Sequence, residues 1–190
     1  MIQPVNMTLP IRLLPLVPVA EEIVHALVTP LSQVFRASVT VARPLRGITD
    51  TAYDDSRAQY NSTQLIHEML LRESNPSGKI LGITSVDLFV PILTYVFGEA
   101  QLGGTASVMS IFRLDDTIYG LPPDSVKLFE RALKEAVHEL GHTLGLLHCG
   151  DFACAMHAST TVDDVDVKGA TLCDVCLKQI GDQQREITKS

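Results

Sequence analysis

The sequence contains no long apolar run and no concentration of positive charge. Its 190 residues include 15 lysines and arginines against 22 aspartates and glutamates, which gives a net charge of −7. Binding to a phosphate backbone depends on a basic surface, so this composition argues against a nucleic-acid partner. The apolar N-terminal stretch, residues 1–28, is interrupted by Pro10, Pro15, Pro18 and Glu21. It therefore resembles neither a membrane span nor a secretory signal peptide, and we expect a cytoplasmic protein with no membrane partner.

The sequence also lacks the features of a disordered chain. Hydrophobic residues make up 46% of it and charged residues 19%, whereas disorder requires low hydrophobicity and strong self-repulsion. It contains no internal repeat and no low-complexity segment. At this length we expect one domain, with at most a small appended unit.

Apolar runs alternate between strand-like and helix-like spacing along the chain. Branched residues bounded by prolines predict strands on both sides of a helical segment, residues 21–35, which Pro30 should kink or divide. Gly103 and Gly104 suit a tight antiparallel reversal between two further strands. The pattern indicates an α/β fold on a mixed sheet, with strands at 11–19, 37–45, 79–89, 94–102 and 106–114 and another helix at 55–74.

The longest helical pattern covers residues 124–144. Asp124 follows two prolines and can accept hydrogen bonds from the first turn. Apolar residues recur at every third or fourth position, so one side of this helix should be buried. Beyond it the chain is poor in apolar runs and contains all the cysteines. We therefore divide the chain into an upper unit, 1–148, that includes the helix, and a small C-terminal unit, 149–190, that needs another source of stability.

Three histidines and a glutamate lie at the end of this helix. His138 and His142 are one turn apart, so their imidazoles project from nearly the same side and can bind one metal ion. On a continued helix His148 would face away, but Gly145 can adopt the left-handed conformation that ends helices and turns the chain back. Three neutral nitrogens with one open coordination position are typical of a catalytic zinc site. Glu139 is then placed to accept a proton from a zinc-activated water.

The four cysteines form two close pairs, Cys149 with Cys154 and Cys173 with Cys176. Two such pairs separated by a connecting segment suit a tetrahedral thiolate site for a structural zinc. Two disulfides are the alternative, and they would suit an extracellular protein. We favour zinc, because no signal peptide is visible and one pair is a short C-x-x-C. Neighbouring residues of an extended chain point to opposite sides, so His148 and Cys149 can serve two different zinc ions.

The stretch HELGHTLGLLHCGDFACAM, residues 138–156, together with CDVC at 173–176, resembles the archaemetzincin family of the metzincin clan of zinc peptidases. That family joins the three-histidine motif to C-x-x-x-x-C-x-M and a later C-x-x-C. The likeness extends upstream to VDLFVP and FGEAQLGGTASVMSIFRL. The resemblance implies an α/β (α+β) metzincin-like fold. Its parts would be a mixed β-sheet with two helices, an active-site helix on the floor of a cleft, and a small C-terminal zinc-bound subdomain.

The resemblance also implies roles for single residues. Met156 would belong to the Met-turn, whose thioether packs beneath the histidine rings without binding the metal. In this family an edge strand above the cleft binds extended peptide through backbone hydrogen bonds, and residues 95–102 are the candidate here. Some metzincins have a tyrosine two residues after the methionine, where this chain has Ala158. The oxyanion donor is therefore unassigned, with His157 as an alternative.

Two functions are consistent with these residues. The first is a zinc metallopeptidase, a hydrolase that cleaves peptide bonds by metal-activated water with Glu139 as general base. The alternative is a zinc-dependent peptide-binding protein of the same fold with little or no turnover, which the missing tyrosine leaves open. Either function has a peptide or protein as its partner. We interpret His25 and His67, which lie on other helices, as non-catalytic.

Overall fold

The computed structural model describes residues 9–48, 50–73 and 77–187, with side chains as far as residue 182. Strands and helices alternate, and the predicted α/β class is confirmed. Among the described residues, no helix has both the length and the apolar character needed to cross a membrane. The elements are β1 (Ile11–Pro15), α1 (Glu21–Ala26), α2 (Val28–Phe35), β2 (Val39–Val41), β3 (Tyr53–Asp54), β4 (Gln59–Asn61), α3 (Ser62–Arg72), β5 (Lys79–Thr84), β6 (Leu88–Phe89), β7 (Gly98–Ala100), β8 (Ala106–Ser110), α4 (Ser125–Thr143), α5 (Val162–Val167) and α6 (Asp174–Ile187).

Five strands form the main sheet, in the order β2-β1-β5-β8-β7. The first four are parallel, whereas β7 runs antiparallel to β8, with Gly98 opposite Met109. The predicted mixed sheet and its antiparallel reversal are therefore confirmed. Gly103, at φ +67°, supplies the left-handed residue that this reversal requires. β7 is the last strand on its side, and an edge strand presents backbone groups that can pair with an added chain.

Pro30 divides the first predicted helix, as expected. α1 and α2 meet at Leu27, three residues before the proline. A proline lacks an N–H and its ring crowds the carbonyl four residues earlier, which here belongs to Ala26. The helix therefore ends at that residue, and Pro30 lies in the first turn of α2, where a missing N–H is tolerated.

Two predictions about the middle of the chain were wrong. The helix predicted from residue 55 begins at Ser62, and its predicted last residue, Ser74, lies outside the described residues. The Asp54 carboxylate accepts hydrogen bonds from the N–H and hydroxyl of Ser56, which favours a turn, and Asn61 caps α3 by accepting from the Gln64 N–H. The strand predicted at 79–89 ends at Thr84. Leu88 and Phe89 pair instead with β4, in a separate sheet of order β3-β4-β6.

The main sheet has a hydrophobic cluster on each face. Successive residues of β1 point to opposite sides, so Ile11 and Leu13 belong to one cluster and Leu14 and Leu16 to the other. The second cluster is covered by α3. The first is covered by α1, α2 and α4, and it continues without a break into the C-terminal segment through Met156. The buried side of α4 therefore packs on the sheet next to the edge strand.

The tip of the β7–β8 hairpin is fixed to the end of α4. The Gly103 N–H donates to the carbonyl of His142 over 2.9 Å. The Lys79 ammonium donates to the carbonyls of Gly104 and Thr143, over 2.7 and 2.6 Å. Because Gly103 and Lys79 both bind the last turn of α4, and Lys79 also binds the hairpin, the edge strand is held at a defined position relative to that helix.

Charged side chains fix α5 against α4. The Arg131 guanidinium is buried and binds both carboxylate oxygens of Asp166, over 2.6 and 2.7 Å. It also donates to the carboxylate of Asp116 over 2.6 Å. One turn further along α4, the Lys134 ammonium donates to the carbonyls of Val165 and Asp166. These contacts attach α5 to α4.

Candidate metal centre

A left-handed glycine ends α4 and reverses the chain. Gly145 has φ +84°, and its N–H donates to the carbonyl of His142 over 2.9 Å. The N–H of Leu146 donates to the carbonyl of Gly141 over 3.1 Å. This pair of bonds is the Schellman pattern, in which a glycine just beyond the helix satisfies its last carbonyls. The reversal brings His148 back beside the helix that carries the other two histidines.

The three histidine rings converge. The ring centroids of His138 and His142 are 4.6 Å apart, and the centroid of His148 lies 5.3 Å from the first and 5.0 Å from the second. One ring nitrogen from each residue lies within 4.8 Å of the other two. His138 is buried, His142 is partly buried and His148 is exposed. The point of convergence is therefore open to solvent on the His148 side.

Hydrogen bonds of two rings determine which nitrogens face each other. The Nδ1 atoms of His138 and His142 lie 2.8 Å from the carbonyl oxygens of Ala155 and Leu146. A carbonyl oxygen can only accept, so each Nδ1 carries the proton and each Nε2 presents a lone pair. The two Nε2 atoms are 3.1 Å apart. Lone pairs at this distance repel unless a cation lies between them, and imidazole nitrogen is a preferred ligand of zinc, so the site fits zinc.

The surroundings keep these rings neutral. Partial loss of hydration is the largest influence on all three, and it lowers the pKa of His138, His142 and His148 below the ordinary value, most strongly for the buried His138. The nearby ammonium of Lys168 adds to this effect, so that the pKa of His138 is lowered strongly. Neutral imidazole is the form that binds a metal ion, and the rings are therefore already in the binding state.

Glu139 lies between α4 and the edge strand, with its carboxylate buried. Its Oε2 atom has no hydrogen-bond partner among the described residues. Burial raises the pKa of this carboxyl well above its ordinary value. On β7, only a glycine leaves room for the side chain, because a Cβ on Gly98 would lie 2.6 Å from Oε1 and 2.7 Å from Cδ. A buried acceptor without a partner is unfavourable, so this oxygen fits a site that receives a water or a substrate group.

Met156 packs directly beneath Gly141, which separates the two histidines of the helix. The methionine is fully buried, and a Cβ on Gly141 would lie 2.3 Å from its Sδ atom. Only a glycine in the helix allows so close an approach. The turn around Met156 is held by its carbonyl, which accepts from the N–H of Cys149 over 2.9 Å. The preceding residue, Ala155, supplies the carbonyl that orients the His138 ring.

The four cysteines form a separate cluster, in which all the sulfurs lie within 4.8 Å of one another. The Sγ atoms of Cys149 and Cys173 are 3.8 Å apart, as are those of Cys154 and Cys176. A disulfide requires about 2.05 Å, and all four thiols are free. Zn–S bonds of about 2.3 Å place the corners of a tetrahedron about 3.8 Å apart. The donor set therefore fits a zinc ion with no open coordination position.

A cleft of about 630 Å³ lies between the edge strand and the histidines. Its lining is mainly apolar and includes the exposed side chains of Leu93, Leu102 and Leu147. Ala158, at the position where some metzincins have a tyrosine, also lines it. The His157 ring contacts the chain just after His148, since its Nδ1 lies 3.0 Å from the carbonyl oxygen of Cys149.

The sequence analysis assigned no role to four residues that contact the site: Gly98, Gly141, Glu135 and Lys168. The two glycines did give a signal, since a glycine inside a strand or a helix indicates close approach of another group. The other two form a buried ion pair, with 2.7 Å between the Lys168 Nζ and the Glu135 Oε1. No local pattern could reveal this pair, because its members lie on separate elements.

Comparison with known proteins decides the family. The model of peptidase family M54 matches residues 46–182. This chain belongs to peptidase family M54. An archaemetzincin of Methanocaldococcus jannaschii is 44% identical to it over 132 residues, which cover 70% of this chain and 72% of that protein. The predicted relation to the archaemetzincins is therefore confirmed.

Two solved structures have the same fold as this chain. The crystal structure of the archaemetzincin from Archaeoglobus fulgidus, complexed with malonate, matches with a TM-score of 0.77 at 38% identity, covering 90% of this chain and 99% of that one. A zinc-dependent peptidase from Methanocorpusculum labreanum matches with a TM-score of 0.79 at 26% identity, with the same coverage of 90% and 99%. The expected metzincin-like fold is confirmed.

As a member of the M54 family, the chain is a zinc-dependent metallopeptidase, a hydrolase that acts on peptides or proteins. The alternative of a peptide-binding protein without turnover is not favoured by these relationships. Zinc is also the metal that suits the donor atoms of both clusters.

Proposed function

We propose that this metallopeptidase cleaves peptide bonds at a zinc ion bound by His138, His142 and His148, with Glu139 as general base. The observation that carries the proposal is the convergence of three neutral imidazoles beside a buried carboxylate that has a free oxygen. When bound, zinc supplies a Lewis acid that acidifies water and polarises a carbonyl group. The chain's own residues hold the ion, move the proton and position the peptide.

In this proposal Glu139 handles the proton in both halves of the reaction. Its Oε2 atom takes a proton from the attacking water and later delivers it to the amine that leaves. Burial raises the pKa of this carboxyl, which makes it a stronger base than an exposed glutamate. The position of the carboxylate depends on Gly98, which contacts it from the edge strand.

The edge strand is the proposed binding site for the peptide. An extended peptide can add to β7 through main-chain hydrogen bonds and thereby lie along the cleft above the histidines. The residues predicted for this role, 95–102, include β7 and line the cleft in part. Met156 is proposed to act as the Met-turn residue, which supports the histidine rings from below and does not bind the metal.

We propose that Cys149, Cys154, Cys173 and Cys176 bind a second, structural zinc, which gives two ions per chain. The tetrahedral spacing of their sulfurs supports this assignment. The two-unit division at 148/149 remains our proposal, with the thiolate zinc stabilising the C-terminal unit. A cytoplasmic location is likewise proposed, because a reducing compartment keeps four thiols available for metal.

Removing zinc is expected to abolish hydrolysis, and restoring it should recover the activity. The assay exposes a mixed peptide library to the protein and follows new termini by mass spectrometry, while zinc per chain is measured in parallel. An open site exchanges its metal more easily than a closed thiolate site. Mild chelation should therefore reduce the zinc content from two ions to one as turnover disappears. Turnover that persists after the first ion has left would contradict the proposed centre.

The Gly98→Ala variant is expected to lose activity without unfolding. The new methyl group would overlap the Glu139 carboxylate, so the carboxylate or the strand has to move. Misplacement of a catalytic group by about 1 Å can lower the rate on the order of 10²-fold. The measurement is kcat/KM on one cleaved peptide, together with the thermal unfolding midpoint.

Gly150→Ala is the matched control for this variant. A Cβ at position 150 meets no atom within 4 Å, so the same chemical change should leave kcat/KM unaltered. Wild-type activity in the Gly98→Ala variant would show that the contact between the strand and the carboxylate is not needed for catalysis.

A further inference from the structure

We infer that Lys168, paired with Glu135, is a positioning residue that holds the first histidine of the zinc site in place. The inference rests on the proposed function, since it takes His138 as a zinc ligand. Lys168 is the residue at which the chain leaves α5, and Glu135 lies one turn before His138 on α4. Neither residue belongs to the set that binds the metal or moves the proton.

Both side chains of the pair are buried, and Glu135 lies at the wall of the cleft. The Lys168 side chain has 0% exposure and that of Glu135 has 3%, with 2.7 Å between the ammonium nitrogen and Oε1. Withdrawing two charges from water is costly, and apolar residues of similar volume are often equally stable in such a position. Stability alone therefore does not account for a buried ion pair here, and its surroundings indicate another role.

The ammonium connects the helix to the turn that orients His138. Its nitrogen lies 3.4 Å from the carbonyl oxygen of His157 and 3.5 Å from Nδ1 of His138. The same Nδ1 donates to the carbonyl of Ala155, which belongs to the same turn. By binding Glu135 on one side and the turn on the other, Lys168 fixes the distance between the helix and the carbonyl that sets the ring's orientation.

The same turn is linked to the third histidine. The ring of His157 is hydrogen-bonded to the carbonyl of Cys149, and the N–H of Cys149 donates to the carbonyl of Met156. Cys149 directly follows His148 in the chain. A displacement of the turn would therefore reach both His138 and His148. Partners of this kind around a metal site commonly affect metal affinity or activity by about 10–100-fold.

Several contacts between α4 and α5 do not involve Lys168. Arg131 binds the carboxylate of Asp166, and Lys134 donates to two carbonyls at the end of α5. Lys134 lies one turn before His138 on α4 and Arg131 lies two turns before it, so both contacts are away from the three histidines. A lysine at 168 is thus not required merely to attach this segment, and the neighbouring Lys134 offers a matched control.

The test compares Lys168→Met with Lys134→Met in the zinc-loaded protein. In Lys168→Met we expect the zinc dissociation constant of the histidine site to rise about 10–100-fold, measured by competition with a chromophoric chelator. We also expect kcat to fall while KM changes little, because the edge strand is untouched. The visible absorption of Co²⁺ placed in the open site should change, since it reports ligand geometry. Lys134→Met should alter none of these three quantities.

If the single variant does not fold, a double variant, Glu135→Met with Lys168→Met, tests whether Lys168 positions His138. It leaves no unpaired buried charge, yet it removes the link to His157, so the same loss of zinc affinity is expected. Wild-type zinc affinity and Co²⁺ absorption in either folded variant would overturn the inference. Wild-type protein whose histidines bind no zinc would instead overturn the proposed function, so the two failures can be told apart.

Discussion

The Glu139→Gln variant is expected to bind zinc as the wild-type protein does and to lose nearly all hydrolysis. Glutamine has the size of glutamate and fits beside Gly98, but its amide cannot take a proton from water. Loss of a general base lowers the rate on the order of 10²–10⁴-fold. The loss should appear in kcat, because the edge strand that is proposed to bind the peptide is unchanged. It is measured with a single peptide chosen from the library, together with zinc per chain.

Glu130→Gln provides the control for this result. Glu130 lies on the same helix with an exposed side chain, so the same substitution there should change neither kcat nor zinc content. If Glu139→Gln keeps wild-type turnover at full zinc occupancy, another group must accept the proton and the role given to Glu139 is wrong. If the variant loses zinc as well, the carboxylate contributes to holding the metal.

The Cys173→Ser variant is expected to lose the proposed structural zinc ion and much of its stability. Three thiolates and a hydroxyl form a far weaker site, and the binding energy of a structural zinc is part of the folding energy. We expect a loss of about 4 kcal/mol or more. For a chain of this size that corresponds to a fall of about 8–16 °C in the unfolding midpoint. Calorimetry and metal analysis of the purified variant measure both effects.

Gln179→Ser is the control for the cysteine substitution. Gln179 is exposed on α6, close in sequence to the cysteine pair, and the change to serine there should leave zinc content and midpoint unaltered. An unchanged midpoint together with two zinc ions in Cys173→Ser would eliminate the structural-zinc assignment. Activity should also decline in this variant, because Cys149 directly follows His148 and its displacement reaches the histidine site.

Features that depend on a few neighbouring residues could be predicted from the sequence. Asp124 accepts from the N–H groups of Val126 and Lys127, and Gly145 ends the helix in the left-handed conformation, so both ends of α4 lie where the sequence indicates them. Both signals act within one helical turn. The hairpin reversal at Gly103 is equally local, which is why β7 and β8 could be paired in advance.

Features that depend on distant contacts could not be predicted. Residues 55–61 have a composition compatible with a helix, but they form a turn and a short strand because β6 offers a pairing partner. Position 98 has room only for a glycine because the Glu139 carboxylate of α4 lies against it. Lys168 is buried in an ion pair with Glu135, which lies on the same helix. In each case the partner comes from another element. Spacing within a segment identifies the candidate metal ligands, but not the residues from other elements that pack around them.

The bonds between the hairpin tip and the last turn of α4 have a mechanical consequence. The edge strand forms one side of the cleft and α4 forms the other. Gly103 and Lys79 join these two sides at one end, through the carbonyls of His142 and Thr143. Because these bonds hold the two sides together there, we expect that end of the cleft to open least. A widening that admits a bulky polypeptide is then expected at the opposite end of the cleft and not beside His142.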